Sequence, residues 1–200
     1  FGSVPRPNGE IATSEFLLAS ESLVKLFDLL GSSAFAVVQN DMTGNITKIR
    51  KKLTKDPIGS DSLEKLILSE VNGDKTATQG LLWLTRGLEF TCEAMKKAID
   101  NEDWELSKCF EKSYSETLSK YHSFLIKPVF KLAMKAFPYR VDFFKKLGEP
   151  LDVVLEQLKK WVKDLSAVVT QIMEFFKKGN YGKGLSLIHI SEPTRHSLMS

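Results

Sequence analysis

The sequence predicts an all-α fold of about eight helices, and three observations carry that expectation. Apolar residues recur at helical spacing through almost every segment, flanked by capping residues and glycines. Alternating Val/Ile/Thr strand patterns do not occur. Two hundred residues with 42% hydrophobic and 26% charged content suit one globular domain, long enough for a core and a cavity.

The first helix is expected from about Ser14 to Leu30, with Thr13 or Ser14 as N-cap and Gly31 ending it. "SSAFAVVQNDMTGNITKIRKKL" supplies a second, although Gly44 costs a helix interior about 1 kcal/mol relative to Ala. "GSDSLEKLILSEVNG" is a short helix between glycines. "TATQGLLWLTRGLEFTCEAMKKAI" is long and apolar on more than one side, which predicts a central position. In "DNEDWELSKCFEKSYSETLSKYHSFLIK", a stripe of Phe110, Tyr114, Leu118, His122 and Leu125 predicts one continuous helix. Pro128 opens "PVFKLAMKAF" and Pro138 closes it; "YRVDFFKKLG" and "EPLDVVLEQLKKWVKDLSAVVTQIMEFFKKG" complete the set.

Residues 1–13 read as a disordered N-terminal segment and 14–184 as the domain. The final stretch, "LSLIHISEPTRHSLMS", resembles translated adaptor sequence, so 185–200 is taken as a non-native tail; a genomic reading frame that keeps it would refute this.

A net charge of +3, with basic and acidic residues interspersed, argues against nucleic acid as the main partner. Cys92 and Cys109 lack a CxxC partner or metal-like company and read as free thiols of a cytoplasmic protein. No apolar run reaches the roughly 18 to 20 residues of a membrane span. No GxSxG, HExxH, Walker A or GxGxxG motif occurs, and outside the tail His122 is the one histidine, so neither a metal site, a cofactor nor an enzyme is expected.

The second helix carries an oddity. At about 100° per residue, Asp41, Asn45 and Lys48 fall within roughly 40 to 60° of arc and form one polar strip, while Ile46 and Ile49 pack. The strip is either a solvated face or a recognition surface for neighbouring hydroxyls, since carboxylate accepts, ammonium donates and amide does both. Trp83 is either core or a platform for the C–H face of a sugar. His122 is either a satisfied core histidine or a donor to a ligand carbonyl. Spacing alone does not decide.

Taken together, "DMTGNITKI" at 41–49, "LLWLTRGLEF" at 81–90, "KYHSFLIKPVF" at 120–130 and "AFPYRVDF" at 136–143 resemble the glycolipid transfer protein family over about residues 14–181. The resemblance implies a two-layer helical sandwich of about eight helices enclosing an apolar lipid tunnel, and a monomer that binds one glycosphingolipid and transfers it between membranes without chemical conversion, touching the membrane transiently and peripherally. Asp41 would accept from the ceramide amide and a sugar hydroxyl, Asn45 and Lys48 would bond the sugar, Trp83 would underlie it, and His122 would donate to the acyl carbonyl. Phe27, Phe90, Leu118, Phe130 and Met134 are the expected tunnel lining; Phe124, Lys127 and Tyr139 the expected membrane contact; Tyr181 the expected C-terminal contact. Relatives that carry ceramide-1-phosphate place cations where Asn45 and Trp83 stand, because phosphate needs countercharge; the amide and indole here point to neutral sugars. Phe124 stands where the family often has Trp, and Lys135 where some members have an aromatic. A sensor domain of a larger trafficking protein, ceramide-1-phosphate transfer and a helical scaffold remain alternatives.

Overall fold

A computed structural model describes residues 1–185. Among these, eight α-helices occur: α1 (Thr13–Leu26), α2 (Ala36–Lys55), α3 (Leu63–Ser69), α4 (Thr76–Asp100), α5 (Leu106–Glu116), α6 (Lys127–Lys135), α7 (Arg140–Leu147) and α8 (Leu151–Gly179). The tail expected at 185–200 lies, beyond Leu185, outside the described residues.

Helix α4 is the hub. It packs against α2, α5, α8 and α3; α1 lies on α2, α6 on α5, and α7 on α8. Its sequence explains the position: Leu81, Leu82, Trp83, Leu84, Leu88 and Phe90 point several ways around the helix and all are buried. Its first turn would leave buried N–H groups unpaired, and Glu70, reaching from the end of α3, accepts from Thr78 N at 2.7 Å and Thr78 Oγ1 at 2.8 Å.

The helix boundaries mostly follow the expected punctuation, with three corrections. Thr13 is not a side-chain cap; it is the first residue of α1, and Ala12 precedes it with no side-chain cap bond. The backbone satisfies this end instead, Thr13 N donating to Asp61 O and Leu63 N to Ile11 O, both at 2.9 Å. After Leu26 the chain tightens into a 3-10 turn, Phe27–Leu30, before the expected stop at Gly31, whose φ of 68° is costly for any residue with a Cβ.

Second, the helix expected to run through His122 stops at Glu116. Thr117 Oγ1 turns back on Ser113 O at 2.8 Å, a 3-10 turn covers Ser119–Tyr121, and His122 is extended at φ −90° and ψ 138°. This Ser- and Thr-rich stretch bonds its own backbone in place of extending a helix. Phe110, Tyr114 and Leu118 of the expected stripe are buried, whereas Leu125 is exposed.

Third, residues 1–12 pack where disorder was expected. Phe1 sits edge-on to Phe16 and Trp161, Val4 and Ile11 are buried, and Ile11 N donates to the buried Glu64 carboxylate at 2.9 Å. Gln171 of α8 donates to both Gly9 O and Glu64 Oε1, at 2.7 and 2.9 Å.

Candidate functional site

The polar strip lies at a close approach of α2 and α4. A Cβ on Gly80 would stand 3.1 Å from Asn45 O and 3.1 Å from Lys48 Cβ, so a side chain there would push the helices apart; one turn-pair further along, Gly87 faces Met42. Trp83 lies on the same face of α4, between these two glycines. The sequence-predicted neighbours of the strip are therefore brought to it by a glycine-spaced helix contact, which the Gly in "TQGLLW" signals.

Within the strip, Lys48 Nζ donates to Asn45 Oδ1 at 3.3 Å, and Asn45 Nδ2 reaches Asp41 Oδ2 at 3.5 Å. Asn45 is buried and Asp41 half-buried. Burial pushes the Asp41 carboxyl up to about 6, with the Lys48 charge pulling the other way. The opposing cation is near but the protein supplies little other solvation, so the carboxylate is costly here.

Across the site, the His122 ring lies nearly parallel to the Trp83 indole, at 13° with centroids 6.1 Å apart. His122 Nδ1 is 3.0 Å from the Tyr114 hydroxyl. Burial, reinforced by the Lys127 charge, lowers His122 to about 4, so the ring is neutral at physiological pH; burial raises Tyr114 to about 12, which keeps its proton. With Tyr114 donating to Nδ1, the ring proton sits on Nε2, the arrangement a carbonyl acceptor needs.

Trp83 is 4% exposed, so the expected sugar platform is covered, not open. Beside the parallel His122 ring, Tyr121 stands edge-on at 6.2 Å and the Arg86 guanidinium carbon lies 4.8 Å from the indole and 3.6 Å from the Tyr121 ring. Among the described residues, the buried side-chain nitrogens without a hydrogen-bond partner are Trp83 Nε1, Arg86 Nε and Arg86 Nη1, and all three lie here. Sequence reasoning passed over Arg86 although it stands in the quoted "LLWLTRGLEF"; only burial distinguishes it from a solvated arginine.

Beneath the site the rings form a continuous seam. His122 meets Phe130 at 4.4 Å, Phe130 stacks on Tyr114 at 5.6 Å, Tyr114 meets Phe90 at 6.2 Å and Phe90 meets Phe110 at 5.5 Å. Phe110 then stacks on Phe137 at 3.8 Å. The seam opens into a cavity of about 300 Å³ between α1, α4, α5, α7 and α8, walled by Phe27, Leu30, Met95, Phe110, Phe137 and Leu158 among others. Of the five residues expected to line a tunnel, Phe27 borders this cavity. Phe90, Leu118, Phe130 and Met134 are instead buried in the core. Apolar rings that meet in a water-excluded interior fill the space between them.

Phe124 and Tyr139, the expected membrane contacts, are 80% and 74% exposed, and Leu125, Leu132 and Val141 join them on the surface around α6 and α7. Lys127 is half-buried at the start of α6. Tyr181 stacks on Phe175 at 5.3 Å and borders a small pocket with Glu70 and Thr78, at the α4 N-terminus, apart from the Trp83–His122 pair. Cys92 and Cys109 are buried free thiols. No group of metal-binding side chains occurs among the described residues, and none of their helices is long and apolar enough to cross a membrane.

The family profile described as glycolipid transfer protein (GLTP) matches residues 11–149. A glycolipid transfer protein of Aureobasidium melanogenum is 47% identical over 176 residues, 88% of each chain. The crystal structure of HET-C2, a fungal glycolipid transfer protein, superposes with a TM-score of 0.86 at 44% identity, covering 91% of this chain and 94% of that one. Mouse ceramide-1-phosphate transfer protein shares the fold alone, with a TM-score of 0.82 at 17% identity over 92% of this chain and 94% of that one. From the match over most of its length and its close fungal relative, the chain belongs to the glycolipid transfer protein family.

Proposed function

We propose that the protein binds one glycosphingolipid and carries it between membranes without altering it. The ionised Asp41 accepts from the ceramide amide and a sugar hydroxyl, Asn45 and Lys48 hold further hydroxyls, Trp83 meets the first sugar as the Tyr121 and Arg86 side chains that cover it give way, and His122 Nε2–H donates to the acyl carbonyl. The ceramide chains part the aromatic seam and occupy the cavity beyond it. Each methylene removed from water contributes about 0.8 kcal/mol, which is why a carrier with an apolar interior lowers the cost of crossing the aqueous phase.

The observation that carries this reading is the concentration of incompletely partnered polar groups at one place. Asp41 is held well above the ordinary carboxylate range, and on the helix packed against its own the Trp83 indole N–H and two of the three Arg86 guanidinium nitrogens have no acceptor. Such groups cost stability unless something completes them, and together they match the alternating donors and acceptors of a sugar and an amide. Exposed Phe124, Leu125 and Tyr139, with Lys127 nearby, form the face that docks on the bilayer surface in the cytoplasm, with the protein acting as a monomer.

The neutral Asn45 and Trp83 favour sugars over ceramide-1-phosphate. Transfer of fluorescent galactosylceramide and of ceramide-1-phosphate between vesicles, by protein ending at Gly184, tests both parts. Movement of galactosylceramide alone, recovered unchanged by mass spectrometry, is expected. Movement of the phosphate lipid alone would overturn the headgroup assignment, and movement of neither would overturn the carrier role.

A further inference from the structure

The interior cavity has a neighbour. Leu23, Leu26 and Trp161 bound it on one side, and the same three side chains bound a second pocket of about 410 Å³ that lies outside them. Phe1, Val4, Leu18 and Ala19 supply the rest of its apolar lining, and Ser3, Glu15 and Ser22 its polar part. The two spaces thus share a border of three apolar side chains. Leu26 is 42% exposed and Trp161 half-buried, and the Trp161 ring meets Phe1 edge-on at 6.2 Å, so swinging it aside exchanges one apolar contact for another.

Depth matters here. At about 1.5 Å per residue, Thr91 lies about 12 Å and Met95 about 18 Å along α4 from Trp83. Cys92 Sγ contacts Val162 O at 3.6 Å, which sets Trp161 at nearly the same depth. The chains of one bilayer leaflet span about 15 Å, half of the roughly 30 Å hydrocarbon core. A chain of that length, anchored by its amide near Trp83 and His122, ends level with that border. A longer chain meets it.

We propose that Leu23, Leu26 and Trp161 form a partition that sets acyl-chain preference, and that the outer pocket receives the terminal methylenes of very-long-chain acyl groups. This rests on the glycosphingolipid reading above and adds to it the residues that discriminate among lipids with the same sugar. The partition stands on α1 and α8 whereas Asp41, Asn45 and Lys48 stand on α2, so its side chains can be changed without touching the headgroup residues.

The test loads the protein from vesicles containing equal amounts of N-palmitoyl and N-lignoceroyl galactosylceramide and measures the ratio of the two on the recovered protein by mass spectrometry. Ala19→Phe fills the outer pocket from its α1 side. It is expected to lower the lignoceroyl-to-palmitoyl ratio by about fifteenfold if two methylenes are returned to water, at about fourfold each, with palmitoyl loading unchanged. Trp161→Ala is expected to raise the ratio; should it disturb folding, Ala19→Phe decides alone. An unchanged ratio in Ala19→Phe, or an equal fall in both lipids, would overturn the partition. Loading of neither lipid by the unaltered protein would overturn the glycosphingolipid reading itself.

Discussion

Replacing Asp41 by Asn should make the ligand-free protein more stable while weakening its grip on glycolipid. The carboxyl stands at about 6 in the folded chain against 3.8 when unperturbed. The folded protein therefore holds this proton more tightly than the unfolded one. The stabilisation that comes from the neutral carboxyl is complete below 3.8 and is lost as pH rises through 6. At neutral pH the native state bears the whole cost of the buried charge, about 3 kcal/mol at about 1.4 kcal/mol per pH unit. That figure already contains the attraction to Lys48, because the shift is net of it. Asn has the shape of the neutral acid and still accepts from Asn45, so Asp41→Asn should gain up to about 3 kcal/mol near pH 7.5 and nothing below about pH 4. Urea unfolding followed by far-UV circular dichroism at several pH values measures the difference, with an unchanged slope showing that the unfolded state is not what moved. Binding should fall in parallel by about tenfold or more, since each hydrogen bond to the charged group contributes roughly 1.5 to 3 kcal/mol. A variant less stable at pH 7.5, or a gain that ignores pH, would refute the reasoning.

The same carboxyl makes binding depend on acidity: galactosylceramide affinity, read by equilibrium titration, should be flat above about pH 7 and drop about tenfold per pH unit below about 6, while His122 stays neutral until about 4. Because Trp83 is buried, Trp83→Ala should cost about 3 to 5 kcal/mol in thermal unfolding. Trp83→Phe keeps most of the packing but deletes the unpartnered N–H, so binding should weaken more than stability; equal retention of both would remove the indole N–H from the site. Exchanging Phe124 and Leu125 together for Ala should slow vesicle transfer severalfold while leaving binding of a micelle-dispersed glycolipid intact. A matching loss of both would place these residues in the binding site instead of on the membrane face.

The helical character was legible because it is local. Caps, glycines and the 3.6-residue period set where α2, α4 and α8 run, and the i, i+4, i+7 spacing alone aligns Asp41, Asn45 and Lys48, whose side chains do lie in a hydrogen-bonded row. The same local logic failed at His122, where periodicity continued past a helix that the Ser and Thr side chains had ended. It failed also at Thr13, where a backbone pairing with residues 61–63 replaced the cap.

The sequence by itself determined the helical class, the polar strip and, through its four ordered motifs, the family. Tertiary structure decided which aromatics meet. Phe90 and Phe130 sit in the core and Phe27 at the cavity because five helices converge on that space, a fact spread over residues more than a hundred positions apart. It decided that Trp83 is covered by His122 and Arg86, and that Phe1 lies against Trp161. The charge state of Asp41 follows as well, because a carboxyl's proton affinity depends on how much water is excluded around it, and that burial arises only once the chain has folded.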